Sequence, residues 1–300
     1  MQTRSWMRGP PGAILLATDL SARCDRALDR AALLAAEWQA RLVIVHALEE
    51  DAAGVLGGTE PVPSWRRPAD PQQIAESRVR SELREICPGA TLVIERGNAA
   101  DVILGIAETH RSGLILTGVA RNEPLGRLVL GSTVNRLVRR SQVPILVVRK
   151  RGRRPYRHVV VAVDFSDSSR HALEASERFF PRLPLTVFNA YDAPMSGLTT
   201  DATSYREQMK QAARREAEDF LSSCDLSGPT GQKPELLIEY GEPDRLLHDY
   251  ANEKDLDLAA FGTRGRGPLL DALIGSVAQS LVSTLPCDAL VVREPRAKAA

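Results

Sequence analysis

No apolar run in this chain outgrows a β-strand: ILLA, from Ile14 to Ala17, is representative, whereas a bilayer-spanning helix needs about 20 such residues. The first residues, MQTRSWMRGPPG, carry basic side chains but no apolar stretch before Gly12, so a secretory leader is not expected. Four cysteines without a CxxC pair supply neither a disulfide scaffold nor a zinc ribbon. Neither sign of charge prevails: 39 Lys and Arg oppose 38 Asp and Glu, a net charge of +1, so no global field draws nucleic acid or membrane. Trp6, Trp38 and Trp65 show no base-stacking pattern. These absences predict a soluble, reduced, cytoplasmic chain. What remains is ordinary globular material, 43% hydrophobic and 26% charged, which excludes long disordered tails and fibres. Its 300 residues suggest two domains.

The chain repeats itself. AILLATDLS (Ala13 to Ser21) returns as VVVAVDFS (Val159 to Ser166), with Asp19 and Asp164 145 residues apart. LILTGVAR and LGST (Leu114 to Thr133) return as LAAFGTRG and IGSV (Leu258 to Val277), and PILVVR (Pro144 to Arg149) returns as DALVVR (Asp288 to Arg293), both 144 apart. Such a period is domain-sized and marks a duplicated domain rather than a solenoid. The expected units are 1–150 and 151–300. Between the copies, RKRGRRPYRH (Arg149 to His158) reads as a solvated linker before a phosphate-binding patch, because charge runs are usually solvated.

Within each copy, short Val/Ile/Leu runs alternate with longer helical patterns, which predicts an α/β fold with a buried parallel sheet. In copy one, strands are expected near 13–18, 41–46, 91–95, 113–117 and 145–149, with helices near 22–39, 73–87, 99–110 and 133–140. Copy two repeats this scheme, with strands near 159–163, 185–189, 235–240, 257–261 and 289–293. Its helices are expected near 169–179, 205–222, 243–253 and 277–284. The Gly- and Pro-rich stretch 49–71, and residues 192–204, are long loops of the kind that lid sites.

Ligands of doubly wound sheets bind beyond the carboxyl ends of the strands, where strand order reverses. If strand one lies beside strand four, Asp19 emerges next to Gly118, and Asp164 next to Gly262. The fourth strand of copy two then enters Gly262-Thr-Arg-Gly265-Arg-Gly267 and reaches Gly275-Ser276 at a helix start. Glycines admit phosphate to backbone N–H groups, and the helix N-terminus adds its dipole. For the two aspartates a turn or capping role competes with ligand binding, and Ser21 and Ser166 are the better N-caps.

Gly262-x2-Gly265-x9-Gly275-Ser276 resembles the G-x2-G-x9-G-S/T pattern of the universal stress protein family. Val163-Asp164 closing strand one, and the Leu-Val-Val strand closing the domain, resemble it too. The likeness runs from Ala13 to Glu294. It implies a tandem member of that family: two doubly wound, Rossmann-like domains, each a five-stranded parallel sheet of order 3-2-1-4-5, paired through their fifth strands while keeping separate sheets. It also implies ATP or AMP as ligand, with or without Mg. Val163 and Asp164 would line the adenosine pocket and Ala190 would meet the base. Gly262, Gly265, Gly275, Ser276 and Val277 would hold ribose and phosphates. The copy-one counterparts are Thr18, Asp19, Ala47, Gly118, Arg121, Gly131, Ser132 and Thr133. Copy one departs from the pattern, since Arg121 stands where the second glycine belongs. It either impairs the site or lends a guanidinium to phosphate, and impairment is the expectation.

Other candidates are weaker. Gly126-x4-Gly131-Ser132-Thr133 mimics a P-loop but lacks its lysine. His46 reads as packed or loop-facing, and Cys87 and Cys224 as equivalent helix ends. No HxGH, KMSKS or SGGxDS motif, general base or metal cluster is present to support catalysis. The sequence therefore predicts a nucleotide-binding stress-response regulator, binding mainly in copy two. A ligand-free partner-binding protein and a weak ATP hydrolase are the alternatives. Homodimerisation is left open.

Overall fold

A computed structural model describes residues 9–19, 24–48, 77, 89–119, 131–194, 201–226, 233–265 and 274–294. The first copy contains β1 (Ala13–Ala17), α1 (Asp25–Trp38), β2 (Arg41–Leu48), β3 (Thr91–Arg96), α2 (Ala99–Thr109), β4 (Leu114–Gly118), α3 (Ser132–Arg140) and β5 (Ile145–Val148). The second contains β6 (Val159–Ala162), α4 (Asp167–Phe179), β7 (Leu185–Tyr191), α5 (Ala202–Ser223), β8 (Glu235–Tyr240), α6 (Pro243–Glu253), β9 (Leu258–Gly262), α7 (Ser276–Thr284) and β10 (Asp288–Val292). Apart from Ser77, which is helical, the helix expected over 73–87 lies outside the described residues. So do the loop 49–71, Ser21, Cys87, Gly126 and Arg121. Among the described residues no helix is long and apolar enough to cross a membrane.

The strands form one sheet in the order β3-β2-β1-β4-β5-β10-β9-β6-β7-β8. Each half thus has the expected order 3-2-1-4-5, and β1 lies beside β4 as β6 lies beside β9. The fifth strands do meet, and they pair antiparallel through their backbones. The expectation of separate sheets is corrected by that pairing: two edges joined by a ladder become one ten-stranded sheet. Strand burial explains the apolar runs. Ile14 and Leu16 face one core layer, Leu15 and Ala17 the other, so every position is apolar rather than every second one.

Leu146 stands opposite Leu290 in the β5–β10 ladder, and these are the same position in the two copies. A pseudo-two-fold axis therefore passes through this pair. Asn135 and Gln279, also equivalent, join α3 to α7 by a hydrogen bond of 3.1 Å. Arg149 donates to the Val282 carbonyl of α7, and Arg293 donates to the Arg139 carbonyl of α3. Each copy's final arginine thus reaches the last turn of the other copy's final helix, where the dipole favours a cation.

Arg151, Arg153, Arg154 and Arg157 of the linker are exposed, as a solvated run should be, but the backbone between them is pinned. Gly152 lies so close to α1 that an added Cβ would sit 2.8 Å from Arg30 Cα. Asp288 is fully buried. Its Oδ1 accepts from the N–H groups of Arg149 at 2.7 Å and Lys150 at 2.9 Å, and its Oδ2 from the Tyr156 hydroxyl at 2.6 Å. The Arg30 guanidinium, 3.4 Å away, completes the cluster and lies over the Tyr156 ring. Burial pushes the Asp288 carboxyl above the usual range, against the Tyr156 and backbone hydrogen bonds. The linker is a strap pinned by one carboxylate, and two of its outward charges form ion pairs as well: Lys150 with Asp255, and Arg151 with Asp29.

Candidate functional site

The carboxyl ends of β6, β7 and β9 converge with the start of α7. At the end of β6 the Val163 N–H still bonds the Phe188 carbonyl of β7 at 2.8 Å, but the Val163 carbonyl takes Asn189 Nδ2 at 2.9 Å. In a parallel strand alternate residues point their backbone groups to the same side. Those of Ala190 therefore point, like those of Phe188, past the end of β6. Copy one uses the same device: Thr18 N–H bonds the Val45 carbonyl, and His46 Nδ1 lies 2.9 Å from the Thr18 carbonyl. His46 is thus loop-facing, and Ala47 is the counterpart of Ala190. A groove of about 640 Å³ opens beside this strand end, lined by Tyr191, Asp201, Ser204, Arg206 and Glu207 among others.

Asp164 follows Val163 and turns the chain. Its Oδ1 accepts from the Ser166 hydroxyl at 2.6 Å and the Ser166 N–H at 3.2 Å. Ser166 in turn caps α4 by accepting from the Ser169 N–H. Between them Phe165 holds a left-handed φ of 64°, a conformation that disfavours bulky side chains, and packs its ring on Phe220. Asp164 therefore supports the capping serine rather than capping itself. In copy one, Asp19 accepts from the Cys24 thiol at 3.1 Å, and burial pushes that thiol up to about 11.

The three glycines of the copy-two motif are glycines for different reasons. At Gly262 a Cβ would sit 2.5 Å from Ser168 Oγ and 2.7 Å from the Ser168 carbonyl carbon, so the strand end packs on the backbone of α4. At Gly265 a Cβ would sit 2.8 Å from Asp164 Oδ2. No positive φ marks this residue, and its hydrogen leaves room for a carboxylate. At Gly275 the nearest atoms would be the Thr263 carbonyl oxygen at 3.7 Å and Gly265 N at 3.9 Å, and the fold leaves space. The loop is tied to α4 by Arg264 N–H on Ser168 Oγ, and the Arg264 carbonyl lies 3.3 Å from Ser166 Oγ.

Gly275 is the N-cap of α7 and supplies no side-chain hydrogen bond. Asn98, Ser166 and Asp201 cap α2, α4 and α5 with side-chain oxygens, whereas α1, α3 and α6 start, like α7, without one. A helix leaves its first N–H groups without intrahelical partners, so α7 opens at the loop without the polar cap that α2, α4 and α5 have. Ser276 and Val277 are its first residues, and Val277 is 42% exposed. The structure thus gathers Val163, Asp164, Gly262, Gly265, Gly275 and Ser276 at one end of the sheet, with Ala190 one strand away. In copy one Gly118 ends β4, and Gly131 begins α3, again without a side-chain cap, ahead of Ser132 and Thr133.

Sequence reasoning missed Ser168, Asn189 and Thr263. Asn189 and His46 could have been matched from their place before Ala190 and Ala47. Among the described residues no group of three or more His, Cys, Asp or Glu side chains forms a metal cluster.

The model of the universal stress protein family matches residues 12–149 and again 155–293. A Staphylococcus aureus (strain USA300) protein whose name places it in that family is 29% identical over 143 residues, 46% of this chain and 84% of its own length. A functionally unknown protein of Pseudomonas aeruginosa PAO1 shares the fold across both copies, with TM-score 0.64 and 20% identity, covering 98% of this chain and 95% of that one. A universal stress protein of Archaeoglobus fulgidus DSM 4304 does so with TM-score 0.62 and 17% identity over 94% and 98%. Matched twice along its length, the chain belongs to the universal stress protein family.

Proposed function

We propose that this protein is a cytoplasmic stress-response regulator that binds an adenine nucleotide, ATP or AMP, chiefly through the unit 151–300. The observation that carries this reading is the uncapped start of α7 at Gly275, set against the glycine loop and Asp164. A helix N-terminus lacking its own cap suits an anion, and the space around Gly275 suits the approach of phosphate oxygens. The residues therefore fit a nucleotide. Ser276 and Val277, with the Gly265 backbone, would receive the phosphates. Val163 and Asp164 would meet the adenosine end, and the backbone of Ala190 the base. The unit 1–150 has an equivalent helix start at Gly131 but Arg121 in place of the second glycine, and it binds more weakly.

Calorimetric titration with ATP tests this. Gly275→Val adds a Cβ where the fold leaves room, so the folded protein loses only about the 1 kcal/mol that a poorer N-cap residue costs. The affinity falls about tenfold or more, as expected for the loss of one charge-assisted contact. Wild-type protein that binds no ATP, or a variant that binds it unchanged, overturns the reading.

A further inference from the structure

Thr263 is 97% buried, being 3% exposed, and its hydroxyl has no hydrogen-bond partner among the described residues. Its backbone is fully used: the N–H bonds the Val292 carbonyl at 3.1 Å, and the carbonyl accepts from the Gly275 N–H at 2.9 Å. Strand alternation gives the direction of the side chain. Ala259 and Phe261 face the core layer that holds Ala278 and Leu281 of α7, so Thr263, two residues on, faces α7 as well. The Thr263–Gly275 bond places it at the first turn of that helix. Two independent features therefore meet here, a helix start without a side-chain cap and a buried hydroxyl without a partner.

A buried hydroxyl with nothing to bond destabilises the chain that carries it. Valine fills the same volume without that cost, and copy one has Val119 at the equivalent position. The threonine is the costlier choice in the unliganded protein, so its benefit lies in another state. We infer that Thr263 is a specificity-determining residue of the copy-two site, its hydroxyl donating to an anionic oxygen of the ligand held at the start of α7. This rests on the nucleotide reading and adds to it a reason, beyond Arg121, why the two copies bind unequally.

The test measures both the unliganded and the liganded protein. Thr263→Val in the full chain should raise the melting temperature without ligand, because it removes an unsatisfied group, yet weaken ATP binding about ten- to a hundredfold. Thr263→Ser keeps the hydroxyl and should bind within about threefold of wild type, less than the effect of one neutral hydrogen bond. If Thr263→Val binds ATP as wild type does, or if it lowers the melting temperature, the inference is overturned while the nucleotide reading stands. If wild type binds no ATP, both fall together.

Discussion

The contact between Gly265 and Asp164 turns a motif glycine into a measurable pair. A methyl at 265 would stand 2.8 Å from Asp164 Oδ2, whereas carbon and oxygen ordinarily approach to about 3.3 Å. Gly265→Ala therefore obliges the carboxylate to yield by about 0.5 Å. Asp164 is not free to do so without loss, since its other oxygen holds the Ser166 hydroxyl and N–H, and Ser166 caps α4. Overpacking generally costs about 1–3 kcal/mol. A side-chain end yields more readily than backbone, so about 1–2 kcal/mol is expected here. The decisive variant is the double one. In an Asp164→Ala background the obstacle is gone, and Gly265→Ala should become neutral or stabilising by about 0.5 kcal/mol, because alanine restricts the unfolded chain. Urea denaturation of the four proteins closes a cycle, with an expected coupling of about 1–2.5 kcal/mol. An equal cost for Gly265→Ala in both backgrounds would refute the argument and return Gly265 to a role defined by the ligand alone.

Two further outcomes follow from neighbouring contacts. Gly262→Ala drives a methyl into the Ser168 carbonyl, which is backbone and cannot swing away, so its unfolding free energy should fall by about 3 kcal/mol; a loss under about 1 kcal/mol would contradict that packing. Asp288 should give a pH signature. Burial raises its carboxyl above the ordinary value of 3.8, so the folded chain binds this proton more readily than the unfolded one. The stability it contributes is fully present below that value and declines as pH rises through the raised one. The margin of wild type over Asp288→Asn, measured by denaturation across the acid range, should shrink as pH rises, and a widening margin refutes the sign.

The fold was legible because its signals are local. Val159 to Val163 reads as a fully buried strand, and Glu242-Pro243 opens a helix in sequence as in structure. The repeat offset then located each counterpart. Legibility ended where meaning depends on residues far along the chain. Nothing near Asp288 announces that Arg149, Lys150, Tyr156 and Arg30 converge on it. Gly265 read as a glycine that admits phosphate to the backbone, and only Asp164 beside it shows a steric reason. Thr263 gave no signal in the sequence, because a missing hydrogen-bond partner is invisible until every neighbour is placed.

The axis through Leu146 and Leu290 has a historical consequence. Two identical chains meeting on such an axis must receive every substitution twice, once on each side, so neither partner can specialise alone. Joining the copies in one polypeptide lifts that constraint while keeping the junction. Position 288 shows the freedom gained: it carries the carboxylate that pins the strap, whereas its counterpart is Pro144. A symmetrical ancestor would have had to bury two such carboxylates beside the same seam. The fused chain carries one, and its two halves are free to diverge.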